Sequence, residues 1–526
     1  MNCIRRADIL RQPLIFFLLL GSVLTMRAQT TELTNLVVFV RFSDEAEIDH
    51  SFADIDTMFN GKTPGYYSVY NYYNVLTYGK MHYNTVYTNN IHNGVIVSYQ
   101  DPHPRNYFKP YSPENPEGYQ EPNPFKGVTM REAELLGRIV NYVDSLGLVD
   151  SSIILDGNND GMLDNLSVIV KGATGAWSTI LWPHMEYFPY DSLDFEPRIN
   201  GLKVNTFNFE FEGSLFYFSP EVFCHELGHS LNLPDLYHYV NYQNVTPAGV
   251  WDLMCDNSRL NQIAAIYKNK ILHVSDDPVE ITEDGDYTLL SAGSSSSQNC
   301  YYIKSAIDPT QWFLLEYRNK NDLFENGIPG SGLIVARWND SVSLDYNGMF
   351  ANSLFDFYNQ AHQYWIFRPG SSIDTVNGSI NIAHFSQLVG RTSFSPNTDP
   401  HPYLTDGTPE TSFEITDIYD HGDRLTFHVH FMGVGVEDHQ LADCFRVYPN
   451  PATDVVNVEC RMQNEELEVA NMEVYDVYGK VVRTVETLRA TSLQTAQINV
   501  SGFAAGMYFV RVKTDKGVVT KPFVKK

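Results

Sequence analysis

Basic residues are scarce in this chain: 36 lysines and arginines stand against 63 aspartates and glutamates, a formal charge of −27. A surface that acidic repels phosphate backbones and anionic bilayers, which excludes nucleic acid as a partner and favours solubility outside the cell. Cysteine is rare too, with six in 526 residues. That density excludes a disulfide scaffold, and a chain of this length buries enough apolar surface without one. Long apolar runs are also missing. The run from Leu14 to Leu20 is too short to span a bilayer comfortably. With Arg5, Arg6 and Arg11 beside it and Ala28 followed by Gln29 beyond it, it reads as a signal peptide over 1–28. Cys3 leaves with that segment, so Cys224, Cys255, Cys300, Cys444 and Cys460 remain and at least one thiol is unpaired.

What is present is globular: 43% hydrophobic and 19% charged residues. Leu33 to Phe42 reads as a buried strand, and Ser68 to Lys80 as a helix stopping at Gly79. Val128 to Val143 carries Leu135, Leu136, Ile139, Val140 and Val143 on one helical face. A proline-rich stretch from Pro102 to Pro124 is loop, and Leu166 to Val170 is a further buried strand. Beyond about Leu272 the pattern changes to short alternating strands, at Tyr287, Tyr301, Trp312 and Gly332, divided by turn residues. The expected organisation is therefore an α+β unit over 29–275, an all-β unit over 276–433, an acidic linker over 434–446 and a small β-sandwich over 447–526.

The most informative stretch is SPEVFCHELGHSLNLPDLY, from Ser219 to Tyr237. Ser219 is a suitable helix cap, Pro220 suits the first turn and Glu221 suits the helix dipole. His225 and His229, four apart, project from one face at a separation that a single metal ion bridges. Glu226 lies about a third of a turn aside, where it reaches a metal-bound water without being a ligand. A catalytic zinc takes three protein ligands and keeps a position open for water. Asn232 tolerates the left-handed turn that must end the helix, and Asp235 then supplies the third ligand, with Asp252 the competing carboxylate. Trp251 to Met254 forms a tight apolar turn suited to floor the site. Taken alone, the histidine pair also fits a plain amphipathic helix with two surface histidines.

HELGHSLNLPDLY followed by GVWDLMCDN resembles the immune-inhibitor-A-like secreted metallopeptidases, relatives of the metzincins. The strand at Val37, SVYNYYNVLTYGK, LWPH at Leu181 and the stretch from Phe313 to Trp338 share the likeness, which covers about Leu33 to Phe431. It implies an α+β metzincin-like zinc peptidase domain, zinc on His225, His229 and Asp235, Glu226 as general base and a methionine turn at Met254. Asn232 stands where that family usually has glycine. The end of the chain, with YPNP, GMYFVRV and a basic terminus, resembles the sorting domain of type IX secretion substrates. That likeness implies passage through the outer-membrane secretion machinery and a secreted or cell-surface location.

Three smaller signals accompany these. Asp156, Asn158, Asp160 and Asp164 place oxygens around Gly161 as in the first part of a calcium loop, although Ser167 stands where the closing acid belongs. A metal-free Asx-turn loop accounts for the same residues. Cys224 and Cys255 flank the zinc helix and the methionine turn, where they either pair or pack as thiols. His184 either lines the cleft or serves the structure. The expected function is a secreted zinc endopeptidase acting on proteins or peptides. An adhesin with an inactive protease fold and a zinc hydrolase of non-peptide bonds are the competing classes.

Overall fold

The computed structural model describes residues 30–120, 130–175, 178, 180–188, 196–215, 220–237, 245–342, 362–432, 445–460, 467–477, 480–485, 489–490, 494–514 and 517–526. The signal peptide, the Ser219 cap and nearly all of the 434–446 linker lie outside the described residues.

The amino-terminal sheet is built from β1 (Thr31–Arg41), β2 (Met81–Tyr87), β3 (Asn165–Val170), β4 (His184–Tyr187) and β5 (Thr206–Phe211), in the spatial order β2-β1-β3-β5-β4. The pairs β1 with β2, β1 with β3 and β3 with β5 are parallel, and β4 closes the edge antiparallel to β5. Strand β1 is buried from Leu33 to Val40, as expected of a central strand covered on both faces. Its side chains alternate between two cores. Leu33, Val37 and Phe39 join the core formed with α1 (Phe52–Asn60), α2 (Val69–Leu76) and Phe223 and Leu227 of the histidine-bearing helix. Leu36, Val38 and Val40 join α3 (Met130–Ser145), whose Leu135, Leu136, Ile139, Val140 and Val143 form the apolar stripe seen in the sequence. The result is a helix–sheet–helix layering. Helix α2 stops at Leu76, earlier than its apolar spacing suggests, because Tyr78 and Gly79 both take positive φ, 55° and 74°.

The following region is a pair of sheets. One holds β7 (Cys300–Lys304), β8 (Gln311–Arg318), β9 (Gly332–Asn339) and β10 (Tyr364–Ile366), with the short Val279–Glu280 strand at its edge. The other holds β6 (Gly285–Leu290), β12 (Arg424–Phe431) and β11 (Phe413–Asp420). Phe313, Leu315 and Tyr317 of β8 point into the core between these sheets. The intervening Leu314 instead joins the core that holds the histidine helix, together with Cys300, Ile334, Ala336 and Trp338. One apolar core therefore runs across the boundary expected near residue 275. Residues 445–526 form two further antiparallel sheets around Val456, Val458, Val474, Val510, Val512 and Phe523. No helix among the described residues is long and apolar enough to cross a membrane.

Candidate metal centre

Helix α4 (Glu221–Ser230) carries both histidines and starts after Pro220, whose ring presets the first turn. Its last residue is tied to the sheet: Ser230 Oγ donates to Asn165 Oδ1 at 2.8 Å, and Asn165 Nδ2 donates to Asn35 Oδ1 at 2.8 Å. After Leu231 the chain turns through Asn232 at φ 64°, the left-handed conformation that asparagine tolerates. That turn folds Leu233 to Asp235 back beside the helix.

The imidazoles are aimed from behind. His225 Nδ1 donates to the Leu253 carbonyl at 3.0 Å, and His229 Nδ1 donates to the Leu233 carbonyl at 2.7 Å. Carbonyls only accept, so each Nδ1 bears a proton and each Nε2 is turned toward Asp235, where it carries a proton to the carboxylate or gives its lone pair to a cation. The two Nε2 atoms stand 3.2 Å apart, and Asp235 Oδ1 lies 3.0 Å from one and 3.2 Å from the other. Donors bound to one tetrahedral zinc at 2.0–2.1 Å are about 3.3 Å apart, so this set fits that ion. Charge demand agrees. Burial resists ionisation of Asp235, but the charge of His229 and hydrogen bonds from both imidazoles hold its carboxyl far below the usual range. Burial would lower His229, yet the Asp235 carboxylate lifts it to about 9. The pocket draws positive charge, a need met by protons or by a divalent cation.

Asp252, the competing carboxylate, does not join the donor set. Its oxygens accept from the Met254 and Ala264 amides, both at 2.8 Å, and so shape the turn. Met254 Sδ lies where a side chain at Gly228 would meet it at 3.0 Å, so the glycine lets the turn close against α4. The Met254 carbonyl accepts from Leu236 N at 2.8 Å, next to Asp235. Cys224 and Cys255 are buried free thiols. Cys255 Sγ donates to the Leu236 carbonyl at 3.0 Å and accepts from Gly249 N at 3.0 Å.

Glu226 is buried on α4 between the two histidines. Its charge reaches Glu210 of β5, a fully buried carboxyl that burial first and Glu226 second push well above the usual carboxylate range. Nothing in the sequence signalled Glu210; its side of β5 follows from Phe207, Phe209 and Phe211 filling the opposite core. His184 belongs to the structure more than to the cleft. Its Nδ1 donates to the Trp182 carbonyl at 2.7 Å and its Nε2 meets Glu132 Oε1 at 2.9 Å, so both nitrogens are engaged.

The acidic loop is held differently from the metal centre. Asp156 accepts from the Asp160 and Gly161 amides at 3.0 and 2.9 Å, Asn158 Oδ1 also accepts from Asp160 N, and Asp164 Oδ2 accepts from Thr34 and Gly157. Among the described residues, its oxygens do not converge as the donor atoms of His225, His229 and Asp235 do. Asp164 Oδ1 is nonetheless buried there without a hydrogen bond.

At the other end of the chain, residues 446–526 match the family of secretion system C-terminal sorting domains, on the two-sheet unit described above. This is a secreted, cell-surface protein. The sorting domain addresses it to the type IX secretion machinery. No curated protein matches the chain.

Proposed function

We propose that the secreted chain is a zinc-dependent endopeptidase. The observation that carries this reading is the convergence of His225 Nε2, His229 Nε2 and Asp235 Oδ1 within 3.2 Å of one another. Zinc held there supplies a water of lowered pKa and a Lewis acid for the scissile carbonyl. Glu226 takes the proton of the attacking water and passes it to the leaving amine. The rings of His225 and His229 stay fixed through this by the Leu253 and Leu233 carbonyls.

Peptide is favoured over other substrates by strand β4. It packs beside α4 and, among the described residues, is paired on one side only, by β5. An extended peptide laid along its other side would gain main-chain hydrogen bonds, whatever its side chains. Exposed Trp182 and Tyr187 flank that edge and offer apolar contact. Glu226, present and buried at its place, argues against an adhesin with a dead protease fold.

Metal analysis with a casein-cleavage assay tests the proposal. The wild type is expected to hold about one zinc, and Asp235→Ala to lose most of it and its activity, since two histidines bind zinc poorly. Unchanged zinc content in Asp235→Ala, with loss in Asp252→Ala, would move the third ligand to Asp252. Casein left intact by the zinc-loaded wild type would remove the peptidase reading.

We propose a second, structural cation for the acidic loop, on the strength of the buried Asp164 Oδ1, which has no hydrogen-bond partner among the described residues. Calcium is expected to raise the melting temperature by mass action, and Asp156→Asn with Asp160→Asn to erase the rise. A melting curve indifferent to calcium leaves the loop to its Asx turns.

A further inference from the structure

The turn from Trp251 to Cys255 touches the ligands at several points. Its Leu253 carbonyl sets the His225 tautomer, its Met254 carbonyl holds Leu236 N, and Cys255 Sγ holds the Leu236 carbonyl. What holds the turn comes from the all-β region. Along β8, Phe313, Leu315 and Tyr317 face the interior of the sheet pair, so alternation sends Leu314, Glu316 and Arg318 the other way, toward the turn. Arg318 is fully buried there, at 1% exposure. Its Nη1 donates to the Trp251 carbonyl at 2.7 Å and its Nη2 to the Gln262 carbonyl at 3.2 Å. Glu325 fixes the guanidinium by accepting from Nη2 at 2.6 and 2.9 Å and from Nε at 3.1 Å. Glu316 meets Nη1 at 3.3 Å and also accepts from Ala265 N at 2.7 Å. One planar fork thus grips the chain on both sides of Asp252, whose own carboxylate joins Met254 to Ala264.

A fully buried guanidinium is more than structural filler at this place. It is costly to desolvate, and a hydrophobic residue would pack the strand as well. Its two carbonyl bonds end on the segment that orients a metal ligand, whereas Arg337, another buried arginine of this sheet pair, pairs with Asp374 and donates to the Tyr403 carbonyl.

We propose that Arg318, clamped by Glu325, is a positioning residue for the metal centre: it sets the Trp251–Met254 turn, and through that turn the ring of His225 and the chain at Asp235. The proposal rests on the zinc reading above. The test uses the full-length chain, with zinc affinity measured by competition against a chromophoric chelator. Affinity per folded molecule is a quantity that a loss of folded protein cannot imitate. Arg318→Lys keeps the charge but not the fork, and is expected to weaken zinc binding about tenfold, the scale of outer-shell changes. Its kcat on a peptide substrate should fall with KM nearly unchanged. Arg337→Lys, equally buried, should lower the melting temperature and leave zinc affinity within about twofold of wild type. If Arg318→Lys does not fold, Glu325→Gln loosens the clamp while leaving the arginine in place, and should weaken zinc severalfold. Wild-type zinc affinity in the folded Arg318→Lys or Glu325→Gln protein overturns the proposal, and so does an equal loss in Arg337→Lys. If the wild type itself binds no zinc, the zinc reading fails instead, and the two failures are told apart.

Discussion

Glu226→Gln is expected to cut peptidase turnover by roughly 10²- to 10⁴-fold, the range that a positioned general base contributes. Zinc content should stay near that of the wild type. The two outcomes separate because Glu226 is not one of the three converging donors, while His225 and His229 keep their carbonyl partners in the variant. Neutral glutamine preserves the shape of the buried site and removes only the proton acceptor. Kinetics on a quenched peptide, with zinc measured on the same preparation, decide the matter. Turnover within a few-fold of wild type would falsify the assignment of the base.

Removing the sorting domain is expected to change where the protein is and not what it does. A chain ended before residue 434 should fold, bind zinc and cleave casein, because the metal donors and the Arg318 clamp all precede that point. The core of residues 445–526 is formed by its own valines and aromatics and shares none of the residues of the metal-site core. The truncated chain should accumulate in the periplasm, while the full-length chain reaches the surface or the medium. Fractionation with an immunoblot reads the location. Export of the truncated chain at the wild-type level would show that residues 446–526 are dispensable as an address.

The parts legible in the sequence were those governed by local rules. Two histidines four apart must share a helical face, and an asparagine three residues on suits a left-handed exit; the structure has Asn232 at φ 64°. The alternation in WFLLEYR and GLIVARW marks strands, and both segments are strands here. Less local features were hidden. Strand β4 is four residues long and carries a histidine and a glutamate, so no run of apolar residues announces it, although it forms the sheet edge beside α4. The pairing of His184 with Glu132 spans 52 positions and cannot be inferred from either neighbourhood. Arg318 was hidden for another reason. An arginine on an alternating strand ordinarily faces water, and only the packing of that face on the Trp251 turn buries it. The change in pattern near Leu272 is real at the level of secondary structure, yet the apolar core passes through it, because β8 serves two cores with its two faces.

Both imidazoles are steered by main-chain carbonyls of the folded chain, so backbone and not only side-chain neighbours sets the direction of their donor atoms. Rings fixed in this way have little conformational freedom left to lose, so any cation that reaches them would be captured at a small entropy cost.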